Sequence, residues 1–271
     1  MTSERWQILT GDCLEILPTI PAGSIDAVIT DPPYGTTACA WDSVIPLGPM
    51  WQELKRVIRP RGAICLFAGQ PFTSVLIASN LDQFRYSWIW SKTHAANFLF
   101  TKYVPLKKHE DIAIFGGDGM TYNPQIETGP PKINRSGAPE SERRKLSAFS
   151  GSPPNLSRVR SNTYYPGSIL HFGGDAMWQR EHPTQKPVDL MRYLIRTYTN
   201  AGETVLDFTA GSGSTGVAAI LEGRRFIGIE LDPAYAEIAR RRCRDAAAQP
   251  PLFTEAPAPI PPAEQPDLFQ L

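Results

Sequence analysis

VLDFTAGSGSTGVAAILEGRRFIGIELDPAYAEIA, residues 205–239, is the stretch on which the fold turns. A short apolar run (ETVLDF, 203–208) leads into a Gly-rich turn, and a helix is expected from near Ser214. A second apolar run (RRFIGIE, 224–230) ends on an acid. The helix after it (233–246) carries Pro233 in its first turn, where a missing N–H costs nothing. Short strands alternating with helices give parallel strands joined by helical crossovers. Gly211 and Gly213 permit a tight turn and close approach of a ligand to the backbone. Glu230, closing the second strand, is placed to bind both hydroxyls of a ribose. Asp207, just before the turn, would repel a pyrophosphate and suits a cationic ligand.

The same rhythm extends outward from this unit. IDAVIT (25–30), GAICLFAG (62–69), YSWIWSK (86–92) and DIAIFGG (111–117) read as strands, and SILHF (168–172) as a short one. PLGPMWQELKRVI (46–58) predicts a helix with Trp51, Leu54, Val57 and Ile58 on one face, stopped by Pro60 and Gly62. PFTSVLIASNL (71–81) and PVDLMRYLIRTYT (187–199) predict two more. Trp88 and Trp90 share one face of their strand, which favours core packing over base stacking. The expected class is α/β, with a mostly parallel sheet. Cys13, Cys39, Cys65 and Cys243 lie far apart without zinc-ligand spacing, so no metal is expected, and Cys13 and Cys65 read as core thiols. The first residues contain no apolar signal stretch and the apolar runs are strand-sized, which predicts a cytoplasmic protein without a membrane span.

A second motif carries the chemistry. Asp31-Pro32-Pro33-Tyr34 follows directly on a buried strand, at the end where α/β folds place their sites. Two prolines fix the backbone, so the Asp31 carboxylate and the Pro32 carbonyl can converge on one point. Two acceptors suit an exocyclic NH2 donor, and Tyr34 offers a ring face for stacking a base. An amine held in this way has its lone pair aimed at an electrophilic methyl group, without a covalent intermediate. In isolation the motif is also consistent with a rigid turn and a capping aspartate. Beside the Gly-rich segment, the amine-binding reading prevails.

Taken together, these motifs resemble the amino-methyltransferase family of DNA methylases, in the permuted order that puts the catalytic motif first. The resemblance spans about residues 8–245. It implies a Rossmann-like S-adenosyl-methionine-dependent fold with a seven-stranded sheet, one strand of it antiparallel. Asp31 to Tyr34 match the family's DPPY. Phe208-Thr209-Ala210-Gly211-Ser212-Gly213 matches the donor loop, with Thr209 where proline is more frequent. Glu230 corresponds to the ribose-binding acid, and Asp12 of Gly11-Asp12 to the acid near the adenosyl ring. His182-Pro183-Thr184-Gln185-Lys186-Pro187 matches HPTxKP, which would turn Lys186 toward the donor carboxylate. The implied catalytic residues are therefore Asp31, Pro32, Pro33 and Tyr34. The implied donor-binding residues are Asp12, Lys186, Asp207, Phe208, Gly211, Gly213 and Glu230. The implied activity is site-specific methylation of adenine N6 in DNA, with base flipping, in the manner of restriction–modification enzymes. N4-methylation of cytosine by the same chemistry is the alternative, and a DNA-binding module without catalysis a third reading.

Charge and composition divide the rest. Lys plus Arg and Asp plus Glu both number 27, so only a local patch could attract DNA. Segment 85–165 provides one: it carries 12 basic against six acidic residues. Within it, 118–165 is rich in breakers and reads as an inserted, partly mobile target-recognition segment between a catalytic half (1–117) and a donor half (166–246). Arg143, Arg144 and Lys145 are its candidate phosphate contacts, and His94, Asn97 and Lys102 are weaker polar candidates. Residues 247–271 read as a Pro-rich disordered tail. Its end, Gln265-Pro266-Asp267-Leu268-Phe269, looks like the short peptide that replication proteins insert into a sliding clamp, though patterns this short also arise by chance. Candidate partners are thus double-stranded DNA, a second copy of the chain in a homodimer, and a clamp bound through residues 265–269.

Overall fold

The computed structural model describes residues 5–35, 43–93, 101–129, 163–173, 181 and 185–249. Along the chain run β1 (Trp6–Thr10), α1 (Cys13–Ile16), β2 (Ile25–Thr30), α2 (Leu47–Val57), β3 (Ile58–Ala68), α3 (Phe72–Ala78), β4 (Phe84–Ser91) and β5 (His109–Gly116). After β6 (Glu127–Thr128) and β7 (Thr163–Tyr164) come β8 (Ile169–His171), α4 (Val188–Tyr198), β9 (Thr204–Asp207), α5 (Ser214–Leu221), β10 (Arg225–Glu230) and α6 (Pro233–Ala248). Eight strands form one sheet in the order β1-β10-β9-β2-β3-β5-β4-β8. Only β5 runs against the others. The count corrects the seven strands implied by the resemblance: the eighth is β8, three residues that extend the edge by pairing with Ile89–Ser91 of β4.

Side-chain alternation divides this sheet into two apolar layers. Ala27 and Ile29 of β2, with Cys65 and Phe67 of β3, face the helices α4, α5 and α6. Val28 of β2 and Ile64 and Leu66 of β3 face α1, α2 and α3. All six residues of β2 are buried, as a central parallel strand requires. Its one charge, Asp26, is answered by Arg59 Nη1 at 2.5 Å and the Thr204 amide at 2.8 Å. Trp88 and Trp90 are buried in the first layer, as are the Cys65 and Cys243 thiols; the Cys13 thiol lies in the second.

The strand after α2 starts earlier than its breakers suggest. β3 begins at Ile58 and passes through Pro60 and Gly62, because Arg59, Pro60 and Arg61 are exposed and a register shift opposite Ile25 to Ala27 absorbs the extra residues.

The decisive junction is between β2 and β9. They pair in parallel, Ala27 opposite Val205 and Val28 opposite Leu206. Thr30 and Asp207, 177 positions apart in sequence, therefore meet at the same sheet edge, with a hydrogen bond of 2.6 Å between them. The order of the two halves along the chain does not affect this meeting.

By its contacts the chain divides into two units, 1–123 with 168–271, and 124–167. Residues 118–123, assigned by composition to the insertion, belong to the first unit: the Thr121 amide donates to Arg61 O at 2.9 Å and the Asn123 amide to Thr197 O at 2.7 Å. In the second unit β6 and β7 pair antiparallel, Glu127 opposite Tyr164 and Thr128 opposite Thr163. Arg143, Arg144 and Lys145, and the tail with residues 265–269, lie outside the described residues. No helix among the described residues is long and apolar enough to cross a membrane.

Candidate active site

One cavity of about 370 Å³ opens at the sheet edge where β2 and β9 end. Asp12, Asp31 to Tyr34, Lys186, Asp207, Phe208, Gly211 and Glu230 all line it. Of the residues expected at the site, only Gly213 lies behind the wall. Its φ of +79° is left-handed, and a Cβ there would stand 2.9 Å from Ala239 Cβ of α6. Its bareness thus serves the packing of the loop on α6. Gly211, with φ +53°, makes the turn itself.

The loop is held by acids. Glu230 Oε2 accepts from the Gly211 amide at 2.7 Å, and Oε1 from the Asp232 amide at 2.9 Å. Each oxygen keeps a second lone pair for a hydroxyl. Asp12 caps α1, accepting from the Leu14 amide at 2.8 Å, while Gly11 N donates to Glu230 O at 2.9 Å and brings β1 against β10. Asp207 accepts three hydrogen bonds: from Thr30 Oγ1 at 2.6 Å, Thr215 Oγ1 at 2.6 Å and the Thr209 amide at 3.1 Å. Burial outweighs these donors and pushes the Asp207 carboxyl up to about 6. Among the described residues, none of Asp12, Asp207 and Glu230 is ion-paired.

At the end of β2 the chemistry differs. Asp31 Oδ1 accepts from the Tyr34 hydroxyl, and Oδ2 from Lys186 Nζ. Burial raises the Asp31 carboxyl, Lys186 opposes that rise, and a second anion, Glu110, adds to it. Burial, followed by the charges of Asp31 and Glu110, holds the Tyr34 phenol well above its ordinary value, so it stays a donor. The Tyr34 ring stacks on Phe72 at 5.4 Å between centroids and 24° between planes.

The resemblance turns Lys186 toward the donor carboxylate. In the structure its ammonium is buried between Asp31 and Glu110 Oε2, the latter at 3.4 Å. Its neighbour Gln185 reaches the other half of the site, accepting from Ser212 Oγ at 3.1 Å. His182, Pro183 and Thr184 lie outside the described residues, as do His94 and Asn97, whereas Lys102 is exposed.

Three participants escape sequence reading. Glu110 enters the charge cluster because it stands at the start of the antiparallel strand β5, at the same edge where the parallel strands end. Thr30 is a buried strand terminus, and its hydroxyl lies 2.6 Å from that of Thr209. Thr209 also donates to the Asp31 carbonyl at 3.1 Å. Its replacement of a more frequent proline was the one signal in the sequence.

The family model for a DNA methylase matches residues 25–241, from the first residue of β2 into α6. The chain belongs to the DNA methylase family. It is 28% identical over 263 residues to the DNA adenine methyltransferase YhdJ of Escherichia coli (strain K12), covering 89% of this chain and 83% of that one. Among solved structures it is similar to the M1.HpyAVI–SAM complex, with a TM-score of 0.58 at 21% identity over 88% of this chain and 98% of that one. It is also similar to the PvuII DNA methyltransferase (cytosine-N4-specific), with a TM-score of 0.61 at 17% identity over 88% of this chain and 86% of that one. The methylase thus has the α/β fold of the S-adenosyl-methionine-dependent DNA methyltransferases, and S-adenosyl-methionine is its methyl donor.

Proposed function

We propose that this methylase transfers the methyl group to N6 of adenine in DNA. The observation that carries the reading is the meeting, in one cavity, of a carboxylate-and-carbonyl acceptor pair at the end of β2 with the unpaired acids of the donor loop at the end of β9. The donor fits that cradle. Its volume of about 370 Å³ lies at the lower end of the range of small-molecule sites. Glu230 would take the ribose hydroxyls, Asp12 the adenosyl side, and Asp207 the cationic end. When bound, S-adenosyl-methionine supplies an electrophilic methyl group on a sulfonium.

The chain's own residues do the rest. Tyr34 offers its ring to the flipped base. Asp31 Oδ1 and the Pro32 carbonyl accept the two amine hydrogens and aim the nitrogen lone pair into the donor half of the cavity. Transfer would form the nitrogen–carbon bond as the donor's sulfur–carbon bond broke, with those electrons left on sulfur. The surplus N–H proton passes to Asp31, whose raised basicity suits it to receive the proton. For amine binding, the Tyr34 hydroxyl must leave Asp31 Oδ1, so that contact holds the carboxylate in place until a base arrives.

An aspartate at position 31, in the DPPY form, and the adenine activity named for YhdJ both favour adenine. The test is to incubate the purified chain with DNA and labelled donor and to identify the product nucleoside. N6-methyladenine is the expected product. N4-methylcytosine would overturn the choice of base while keeping the enzyme class.

A further inference from the structure

Glu110 has no place in the chemistry derived so far, yet it is buried beside it. Its side chain is 12% exposed. Oε1 accepts from Lys92 Nζ, and Oε2 faces Lys186 Nζ at 3.4 Å, an ion-pair distance without hydrogen-bond alignment. Lys186, 8% exposed, reaches Asp31 with its other side. Four alternating charges, Asp31, Lys186, Glu110 and Lys92, therefore run from the cavity to the end of β4 and sum to zero. The two ammonium groups lie over aromatic faces, Lys186 at 5.1 Å from the Phe67 ring and Lys92 at 5.0 Å from the Trp90 ring.

We propose that Glu110 is a positioning residue for methyl transfer, acting on Asp31 through Lys186. This rests on the methyltransferase reading above. Asp31 must keep one oxygen free for the incoming amine and still be basic enough to take its proton. A buried ammonium with a single anionic neighbour would collapse onto that neighbour, covering both carboxylate oxygens and lowering its basicity. Glu110 supplies the second anion. It faces Lys186 from the side away from Asp31 Oδ1, so the ammonium, bonded to Oδ2, has an anion on its other side and only Oδ2 of Asp31 is engaged; Oδ1 remains for the partner it exchanges, the Tyr34 hydroxyl before the base and the amine after. Lys92 in turn neutralises Glu110, so the arrangement adds no net charge to a buried site. The charges also push in the direction this requires: Glu110 raises the Asp31 carboxyl, and both acids raise the Lys186 ammonium, keeping it charged despite its burial.

The competing account is a structural clamp joining β4, β5 and the segment before α4. A double-mutant cycle in the full-length chain separates the two. Glu110→Gln, Lys186→Met and the double variant are compared with wild type in single-turnover methylation of DNA, alongside donor affinity by calorimetry and Tm. The expected result is a rate lowered about tenfold to a hundredfold by Glu110→Gln, the scale of a small misplacement of a reacting group, with donor Kd within about twofold of wild type. The double variant should be no slower than Lys186→Met, since Glu110 has nothing to act on once Lys186 is gone. A wild-type rate for Glu110→Gln, or losses that multiply in the double variant, would overturn the proposal. So would a slow Glu110→Gln enzyme whose donor affinity and Tm fall in parallel, the mark of a clamp. A wild-type chain that methylates no DNA would instead sink the function on which the proposal rests.

Discussion

The two ends of the cavity satisfy their carboxylates by opposite means. At the proposed donor end, Asp12, Asp207 and Glu230 are satisfied by backbone amides and hydroxyls, which fix their geometry, and among the described residues no cation pairs with them. At the proposed catalytic end, Asp31 and Glu110 are answered by Lys186 and Lys92, and these four charges cancel. The difference follows the ligands. A sulfonium donor is cationic and is attracted by uncompensated acids. The target base is neutral, and a site of zero net charge can receive it without displacing a counter-ion. The lesson is that hydrogen bonds hold an acid without disarming it, whereas a buried ion pair positions an acid and moderates its basicity.

The sharpest way to break this comparison is Asp31→Ala. It removes the amine's acceptor and the proton's destination while leaving every donor-end contact in place. Methyl transfer should fall by ~10²–10⁴-fold, the range for a positioned acid–base group, with donor Kd nearly unchanged. Measuring rate and affinity on the same preparation checks both halves at once. A donor Kd that collapses with the rate would show that the two ends are not separate.

Asp207→Asn probes the other end. Loss of the charge should weaken donor binding by about 1.5–3 kcal/mol, roughly tenfold to a hundredfold in Kd. The pH dependence gives the sign. Asp207 titrates at about 6 in the folded chain against 3.8 ordinarily, so whatever stability its proton confers is present below about pH 4 and lost as pH rises through 6. Donor affinity should move the opposite way, rising between about pH 5 and 7 as the carboxylate ionises, and that rise should be missing in Asp207→Asn. Identical pH profiles for the two proteins would refute the role of the Asp207 charge.

Much of this was legible in the chain because the signals are local. The buried run of β2, the turn at Gly211 and the acid that closes β10 at Glu230 each follow from a few neighbouring residues, and the structure has each at that place in the fold. Partners set by topology were not legible. Glu110 meets Lys186 only because β5 enters the sheet antiparallel, and the direction of one strand is not written in its own residues. The partners of Lys186 were not legible for the same reason. A motif places it near the cavity but does not say which of two anions it will face. Gly213 shows a subtler case: α6 packs on it from 26 residues further along the chain, a contact that its local sequence does not announce.

The smallest predicted effect falls on a residue that touches both ends. Thr209 sits in the donor loop beside Asp207, and its hydroxyl has a single proton with two acceptors in reach. Thr30 Oγ1 lies at 2.6 Å and the Asp31 carbonyl at 3.1 Å. Because Thr30 gives its own proton to Asp207, Thr209 bridges the other two as a shared donor. It ties the peptide between Asp31 and Pro32 to the donor loop without adding charge to either. Thr209→Val keeps the shape and removes the tie, so the expected cost is that of about one hydrogen bond, ~1 kcal/mol or about fivefold in kcat. KM for the donor should stay near wild type, because the loop's contacts with Glu230 and Asp207 through backbone amides survive. Thr209→Ser should restore the rate. If valine instead raises KM and spares kcat, the hydroxyl serves the donor end alone, and the two ends of the cavity are held in register by the β2–β9 pairing and the Thr30–Asp207 hydrogen bond without help from Thr209.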